Sequence, residues 1–359
     1  KRAVNIPVIT VGRYTEPQFA ELMVKEGRAD LVALGRQSLA DPAMPKKAQE
    51  ERLEDMTPCI ACLQGCVANM YAGNPVCCLT NTFLGHEAEP LEKAEEPKKV
   101  MVIGGGVAGL SAAFIAKERG HEVTLYEAGD VLGGNMRLAA YPPGKGDITN
   151  MIRSYIHRCQ KDGVKIVMNC EVTPELIKEE KPDSVIIATG SKTLILPIEG
   201  IDNPAIIHGS DLLDGKRAAG KKVLVVGGGM VGCETAAFLG EQEHDVTVIE
   251  FRDTVGADVI HEHRVYLMKD FEDYGIKEIT GAKVCKFYED GVEYKTADGV
   301  RHESRGYDSV ILSMGFRNYN PLEEKIKDLV PETHVIGDAI RARRALDATK
   351  EAYEVASRI

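Results

Sequence analysis

The sequence lacks three features that would place it at a membrane or on a nucleic acid. No apolar run approaches the ~20 residues that a membrane-spanning helix needs. The formal net charge of −11 opposes nucleic-acid phosphates and anionic lipid headgroups, so neither is expected as a partner. The opening residues 1–4 are too poor in apolar side chains for a signal peptide. We therefore expect a cytoplasmic protein that acts on a small-molecule substrate; a homo-oligomer is compatible with these features.

An initiator methionine is also absent, and the chain begins only a few residues before a predicted strand. This start predicts a piece of a longer protein. With 359 residues and 44% hydrophobic content, the chain can bury more than one core. Two or three domains are expected.

A block of sequence is present twice, at residues 100–127 and again at residues 223–250. Each copy is an apolar strand, a Gly-x-Gly-x-x-Gly turn, a helix of small residues and a second apolar strand that ends in an acid. This order predicts a dinucleotide-binding fold. A single glycine-rich turn can be merely structural, but the recurrence of strand, spacing, helix and acid argues against that interpretation. Two dinucleotide sites in one chain indicate that electrons pass between cofactors.

Each glycine of the motif has a separate expected role. The first permits the tight turn, the second lets the backbone approach a pyrophosphate, and the third lets the helix pack on the strand. The predicted cofactor-binding glycines are Gly104, Gly106 and Gly109 in the first copy and Gly227, Gly229 and Gly232 in the second. The acids Glu127 and Glu250 would accept hydrogen bonds from a ribose diol. A carboxylate at Glu250 repels a 2′-phosphate and favours NADH, although Arg252 could hold that phosphate and keeps NADPH open.

Nine cysteines are present, and four of them follow a metal-ligand spacing. They are Cys59, Cys62, Cys66 and Cys78, in the pattern Cys-x2-Cys-x3-Cys-x11-Cys. Thiolates at these separations can converge on one soft metal centre, and three close cysteines plus one distant favour an iron–sulfur cluster. Zinc, which prefers paired knuckles, is the alternative, and a disulfide framework is disfavoured in a cytosolic chain.

The other five cysteines carry no metal spacing of their own. Cys77 adjoins Cys78, and spacing alone leaves open which of the two is the ligand. The remaining four are scattered through the dinucleotide folds, and we expect them to be small buried side chains: Cys159, Cys170, Cys233 and Cys285.

The first ninety residues contain two strand–helix units whose strands both run into Gly-Arg. Residues 7–11 lead to Gly12 and Arg13, and residues 30–34 lead to Gly35 and Arg36. Between them, a capping box from Thr15 is expected to start a helix. Such units resemble the last strands of a β/α barrel, where the loops bind phosphate, although ordinary turns with solvated arginines remain the alternative. A whole barrel needs about 250 residues, so only its end is expected.

The barrel end, the four cysteines and the two glycine motifs, in this order, resemble one family over essentially the whole chain: the multidomain relatives of old yellow enzyme. The resemblance implies that Gly12, Arg13, Gly35 and Arg36 bind the FMN phosphate. It implies that Cys78, followed by Leu79 and Asn81, is the fourth ligand of a [4Fe-4S] cluster. One departure is that the barrel part that would carry the substrate pocket and the proton donor is missing.

By the same resemblance, the first dinucleotide fold holds FAD and the second, inserted within it, holds the nicotinamide cofactor. Further positions that match the family's FAD site are Ala108, Gly133, Gly134, Ala188, Thr189, Gly190, Gly337 and Asp338. Gly315 ends a strand that would face the nicotinamide cofactor.

The implied fold class is α/β, with the end of a β/α barrel, an iron–sulfur segment and two Rossmann-like domains, one inserted in the other. The expected boundaries are a truncated FMN barrel at 1–56, the cluster segment at 57–90, the FAD domain at 91–214 and 319–359, and the NAD domain at 215–318.

The implied activity passes electrons from NADH to FAD, through the cluster to FMN, and then to an activated carbon–carbon double bond. No acid–base catalyst is assigned in this chain. An alternative is an electron-transfer module without its own substrate, like the small subunit of glutamate synthase. A third interpretation is a redox sensor that binds NADH and a cluster without catalysis.

Overall fold

The computed structural model describes all 359 residues, Lys1–Ile359, and divides into two compact units. Unit 1 contains residues 1–137, 147–190 and 319–359. Unit 2 contains residues 138–146 and 191–318, so it interrupts unit 1 twice along the chain. None of the helices combines the length and the apolar character that crossing a membrane requires.

Unit 1 begins with two short parallel strands and three helices. In chain order these are β1 (Ile9–Val11), α1 (Pro17–Lys25), β2 (Leu31–Ala33), α2 (Arg36–Ala40) and α3 (Met44–Gln49). Because β1 and β2 run in parallel in register, with Ile9 opposite Leu31, the Gly-Arg turns that follow them lie at one edge. The expected capping box at Thr15 is wrong: α1 begins at Pro17 after Glu16, with no side-chain cap. Proline has no N–H to be capped, which makes it well suited to this first position.

The cysteine segment that follows has little regular structure. It contains a 3-10 helix at Leu53–Asp55 and the short helix α4 (Val67–Tyr71). Polar side chains of the preceding helices hold it in place. The side-chain oxygen of Gln37 accepts a hydrogen bond from the Cys59 N–H at 2.8 Å, and its amide donates to the Thr57 carbonyl at 3.0 Å. The buried Asp41 carboxylate accepts from the Thr57 N–H at 2.9 Å.

Two parallel sheets, an antiparallel meander, a two-stranded antiparallel pair and their helices form most of the remainder of the chain. In chain order the elements are β3 (Lys99–Ile103), α5 (Val107–Glu118), β4 (Glu122–Tyr126), α6 (Asn135–Leu138), α7 (Asp147–Lys161), β5 (Lys165–Val167), α8 (Pro174–Glu180), β6 (Ser184–Ile187), β7 (Ser191–Thr193), β8 (Ile206–His208), α9 (Gly209–Leu213), β9 (Lys222–Val226), α10 (Met230–Glu241), β10 (Asp245–Ile249), α11 (His261–Asp273), β11 (Lys277–Ile279), β12 (Lys283–Tyr288), β13 (Gly291–Lys295), β14 (Arg301–Ser304), β15 (Ser309–Leu312), β16 (Phe316–Asn318), α12 (Glu323–Ile326), β17 (Glu332–Val335) and α13 (Ala345–Ala356).

The sheet of unit 1 has the strand order β17-β6-β3-β4-β5, with all pairs parallel. Its central strands are apolar and buried, as expected when helices cover both faces of a parallel sheet. Helix α5, which follows the first glycine motif, is buried over most of its length because its residues are small and apolar. The glycine motif therefore lies at the carboxyl edge of a central strand, where open α/β sheets bind ligands.

The sheet of unit 2 has the strand order β11-β10-β9-β15-β8, again all parallel. An antiparallel meander, β12-β13-β14, follows, and β16 pairs with β7. Because β8 pairs with β15 in this sheet, residues 191–214 belong to unit 2. The sequence-based boundary at 215, which assigned these residues to the FAD domain, is therefore wrong. Residues 138–146 also join unit 2, which no motif indicated.

The side chain of Tyr155 in α7 joins the first dinucleotide fold to the cysteine segment. It is 2% exposed, and its ring packs edge-on against Phe114 of α5, with centroids 5.1 Å apart. Its hydroxyl donates to the carbonyls of Leu79 at 3.0 Å and Thr80 at 3.3 Å, directly after Cys78. Burial raises the pKa of the phenol, so the hydroxyl keeps its proton and remains a donor.

We expect Tyr155→Phe to lower the free energy of unfolding by about 1–3 kcal/mol, because it leaves buried carbonyls without their donor while it keeps the ring. Chemical denaturation monitored by circular dichroism measures the change. The matched control is Tyr71→Phe, since Tyr71 is 75% exposed in α4. Equal effects in both variants would contradict the assigned role of the buried hydroxyl.

Candidate functional site

The first glycine motif forms a tight loop at the carboxyl end of β3. Gly104 has φ +111°, and a Cβ there would lie 2.3 Å from the Ala188 carbonyl oxygen. A Cβ on Gly109 would lie 1.9 Å from the Gly104 oxygen, so only glycine lets α5 approach the strand this closely. A Cβ on Gly106 would meet nothing within 4 Å. The backbone at Gly106 is therefore open to an incoming group at the start of α5.

The second motif repeats this geometry at the carboxyl end of β9. Gly227 has φ +106°, and a Cβ there would lie 2.4 Å from the Ser313 carbonyl oxygen. A Cβ on Gly232 would lie 1.8 Å from the Gly227 oxygen. Gly229 differs from its counterpart, because the carboxylate of Asp258 lies 3.5 Å from the place of its Cβ.

The two predicted ribose acids also support the glycine loops. Glu127 accepts hydrogen bonds from the backbone N–H groups of Gly105 and Gly129, each at 2.7 Å. Glu250 accepts from Gly228 at 2.5 Å and from Arg252 at 2.9 Å. A carboxylate has about four lone-pair positions, so each acid keeps capacity for a ribose hydroxyl. The motif alone did not indicate this supporting role.

The FAD positions implied by the resemblance line the carboxyl edge of the first sheet. Gly133 donates its N–H to the Gly105 carbonyl at 2.8 Å, and a Cβ on Gly134 would lie 3.2 Å from Cα of Gly106. A Cβ on Gly337 would lie 3.1 Å from Cβ of Ala108. These contacts bring three separate parts of the sequence around the first glycine loop.

The remaining predicted residues of this edge are engaged in contacts of their own. Ala188 continues β6, with its N–H bonded to the Ile103 carbonyl at 2.8 Å. The Thr189 hydroxyl donates to the Tyr319 carbonyl at 2.5 Å, and Gly190 accepts from the Tyr319 N–H at 2.9 Å. Asp338 accepts from the Arg343 N–H at 3.0 Å.

Gly315, the predicted nicotinamide-facing position, lies in unit 2 directly before β16. It has φ +100°, and a Cβ there would meet nothing within 4 Å. Its carbonyl accepts a hydrogen bond from the Leu194 N–H at 2.9 Å. The position combines an open surface with a backbone conformation that favours glycine.

All four predicted ligands, together with Cys77, line one cavity, which Arg36 also borders. Ala61 and Leu63, on either side of Cys62, have φ of +52° and +58°, a left-handed conformation that costs energy for non-glycine residues. Burial raises the pKa of the Cys62 thiol to about 12 and also raises the pKa of Cys59. No three His, Cys, Asp or Glu side chains converge closely enough to hold a single metal ion. An iron–sulfur cluster does not need that convergence, because each of its cysteines ligates a different iron.

Cys77 and Cys78 have different neighbours, but these contacts do not show which of the two is the metal ligand. The side-chain amide of Asn69 donates to the Cys77 sulfur at 3.4 Å, whereas the Cys78 sulfur lies 3.3 Å from the Thr80 hydroxyl. Among the cysteines outside the segment, Cys159 and Cys233 are fully buried as expected. The expectation of burial is wrong for Cys170 and Cys285, which are only partly buried.

The two Gly-Arg turns meet at one edge, but their arginines have different neighbours. Arg13 has φ +54° and forms an ion pair with Asp147 at the start of α7. Arg36 begins α2 and borders the cysteine cavity. A Cβ on Gly12 or Gly35 would meet nothing within 4 Å, so both turns present accessible backbone.

Sequence reasoning missed a largely buried ion pair in unit 2. Lys145, from the segment 138–146, pairs with Glu234 of α10, and their side chains are 26% and 10% exposed. Glu234 lies two residues after the last glycine of the second motif. An acid within an otherwise small and apolar helix was a signal that could have identified it.

Comparisons with known proteins agree with this geometry. Residues 98–333, two thirds of the chain, match the pyridine nucleotide-disulphide oxidoreductase family. The chain belongs to this family. Membership of this family implies a flavin and NAD(H) as cofactors. Residues 1–55 match a second family, NADH:flavin oxidoreductase / NADH oxidase.

Relatives match this chain over its whole length. It is 34% identical to a cinnamate reductase of Clostridium sporogenes over 100% of this chain and 54% of that protein. It is 37% identical to an NADH oxidase of Thermoanaerobacter brockii over 100% of this chain and 56% of that protein. The structure of a 2-naphthoyl-CoA reductase in complex with 2-naphthoyl-CoA matches with a TM-score of 0.95 and 33% identity, over 100% of this chain and 55% of that one.

These matches confirm the resemblance to the multidomain relatives of old yellow enzyme. The chain spans little more than half the length of each of these relatives.

The glycine geometry generates a paired prediction. Gly109→Ala is expected to lower the free energy of unfolding by about 1–3 kcal/mol, because its Cβ collides with the Gly104 carbonyl. Gly106→Ala should leave stability nearly unchanged and instead reduce bound flavin, since its Cβ enters open space. Thermal unfolding and the flavin absorbance of the purified chain measure the two effects. Normal flavin content in Gly106→Ala would contradict the role of this backbone in cofactor binding.

Proposed function

We propose that the chain carries the electron-transfer half of an NADH-dependent oxidoreductase, in which electrons pass from NADH to FAD, through a [4Fe-4S] cluster to FMN, and reduce an activated carbon–carbon double bond. The observation that carries the proposal is the duplication of one loop geometry. Two glycine loops, each supported by an acid through backbone N–H groups, lie at the carboxyl edges of two parallel sheets. A third site with soft sulfur ligands lies in the same unit as the first loop.

The first fold is proposed to hold FAD. The open backbone at Gly106 and the positive end of the α5 dipole suit a pyrophosphate, and Glu127 suits the ribose. Gly133 and Gly337 bring two further parts of the chain to the same loop, where they would contact an extended ligand. Asp338 is proposed to accept a hydrogen bond from a ribityl hydroxyl.

The second fold is proposed to hold NADH. The carboxylate of Glu250 is buried between the backbone N–H groups of Gly228 and Arg252, so it cannot turn away from a 2′-phosphate. A charge held at this position disfavours NADPH. The exposed side chain of Arg252 is the group that would have to compensate for it.

The residues around the cysteine cavity fit an iron–sulfur cluster. All of the sulfur donors line one cavity, and the guanidinium of Arg36 at its wall would offset the negative charge of four thiolates. Gln37 and Tyr155 hold the backbone next to Cys59 and Cys78, which orients those two ligands. When bound, such a cluster supplies one-electron transfer between two flavins.

The N-terminal segment is proposed to complete a barrel that binds FMN. Its two parallel strands leave Ile9, Val11 and Leu31 between 56% and 70% exposed, which is unusual for apolar strand residues. Further strands of a β/α barrel would cover these side chains. The Gly-Arg turns at the strand ends would then bind the FMN phosphate. Arg13 would leave its ion pair with Asp147 and pair with the phosphate instead.

Reduction of a double bond is proposed from the named activities of the relatives, a cinnamate reductase and a 2-naphthoyl-CoA reductase. Conjugation of the double bond with a carboxyl or thioester group makes it a hydride acceptor. This chain is proposed to supply the reducing electrons, and the substrate pocket is assigned to the barrel.

Anaerobic purification of the chain, followed by assays of flavin type, iron and sulfide, tests the proposal. We expect FAD, four irons and four sulfides per chain, and reduction of an artificial dye by NADH without reduction of an enoate. Zinc in place of iron would contradict the cluster. Enoate reduction by this chain alone would contradict the assignment of the substrate pocket to the barrel.

The adjacent cysteines provide a matched pair of variants for the cluster. Cys78→Ser is expected to remove most of the iron, since it replaces a ligand, whereas Cys77→Ser should retain it. Iron and sulfide content and the visible absorbance of the cluster are measured in both. Equal iron loss would show that the assignment of Cys78 as the ligand is wrong.

A further inference from the structure

The repeat between the two dinucleotide folds extends beyond the acid that ends the second strand. Six residues after Glu127, the Gly133 N–H bonds to the Gly105 carbonyl at 2.8 Å. Six residues after Glu250, the Gly256 N–H bonds to the Gly228 carbonyl at 2.7 Å. The same loop therefore closes over both glycine motifs.

An apolar side chain one residue earlier also repeats. A Cβ on Gly105 would lie 2.4 Å from the Leu132 side chain, and a Cβ on Gly228 would lie 2.9 Å from the Val255 side chain. Residues at equal distances from Glu127 and Glu250 thus occupy equivalent places in the two folds.

The two loops differ in charge at the eighth residue after the acid, which is Asn135 in the first fold and Asp258 in the second. The Asp258 carboxylate accepts a hydrogen bond from the Met230 N–H at 2.9 Å, at the first residue of α10. Its other oxygen lies 3.5 Å from the place of a Cβ on Gly229. At the matching glycine of the first fold, Gly106, that space is open.

A carboxylate at the start of α10 accepts hydrogen bonds from the same backbone N–H groups that would bind a phosphate. The free N–H groups and the positive dipole end at the start of a helix bind either anion, and two anions in contact repel each other. Asp258 is exposed to solvent, so its side chain can turn outward. A pyrophosphate could then bind only after the carboxylate leaves Met230.

We propose that Asp258 sets the affinity of the second fold for its dinucleotide by occupying the position of the pyrophosphate until the cofactor displaces it. The inference rests on the proposed function, since it takes NADH as the ligand of this fold. Asp258 acts as an affinity-determining residue, and the neutral Asn135 leaves the first fold without this competition. The second fold would then release its dinucleotide readily while the first retains its own.

The test is NADH binding by the full 359-residue chain, measured by calorimetry for the original chain and for Asp258→Asn and Asp258→Ala. Asp258→Asn introduces the residue that the first fold has at the same offset. Both variants are expected to bind NADH about 3- to 10-fold more tightly, because a charge at a helix N-terminus has an energy of this order. The control Asp253→Asn makes the same charge change beside Gly281 and should leave affinity unchanged.

If Asp258 only capped α10, its replacement would lower stability without tightening NADH binding. Tighter NADH binding in the variants therefore distinguishes competition with the pyrophosphate from capping. Unchanged or weaker NADH binding in both Asp258 variants, with unfolding temperatures near that of the original chain, would overturn the inference and leave the proposed function intact. Equal tightening in Asp253→Asn would also overturn it, because the effect would then be one of net charge. Absence of NADH binding in every protein would overturn the nicotinamide assignment and this inference together.

Discussion

The close approach of a helix to the strand before it, permitted by a glycine without a side chain, is the constraint on which both folds depend. With Gly109 against the Gly104 carbonyl, and Gly232 against that of Gly227, the start of each helix is held at the carboxyl edge of its sheet. In both turns the first glycine, Gly104 or Gly227, has a positive φ. Free N–H groups at the helix start consequently point into the crevice where a dinucleotide can bind.

The acids at the ends of the second strands complete this arrangement. Each one accepts two backbone N–H groups of the loops around it, so the loop conformation and the acid position stabilise each other. Hydrogen bonds to a charged acceptor are stronger than neutral ones, which helps a loop rich in glycine to keep one conformation. The difference between the folds therefore comes from the side chains near the loops, such as Asp258 and the Lys145–Glu234 pair in unit 2.

The cysteine segment depends on a different kind of support, because it has almost no regular structure of its own. Side chains from elsewhere in the unit hold its backbone: Gln37 and Asp41 before the first cysteine, and Tyr155 after the last. Two left-handed residues, Ala61 and Leu63, accommodate the path of the chain around the cavity. These contacts join residues 16 to 76 positions apart, and no local pattern predicts them.

The glycine and cysteine motifs could be found in the sequence because their chemistry depends on local spacing. A tight turn, a helix start and an acid at the end of a strand are set by neighbouring residues, and the apolar runs before the glycine motifs indicated the strands β3 and β9. The domain boundary at 215 was wrong because the pairing of β8 with β15 joins residues a hundred positions apart. The Thr15 capping box was wrong because Pro17 starts α1 without a cap.

The sequence by itself determined two dinucleotide folds and a set of closely spaced thiols, since each is encoded within about thirty consecutive residues. Only the tertiary structure decided which side chains meet at each loop: Asp147 at Arg13, Arg36 at the cysteine cavity and Asp258 at the start of α10. The physical reason is that these contacts depend on how sheets and helices pack, which many distant residues decide together.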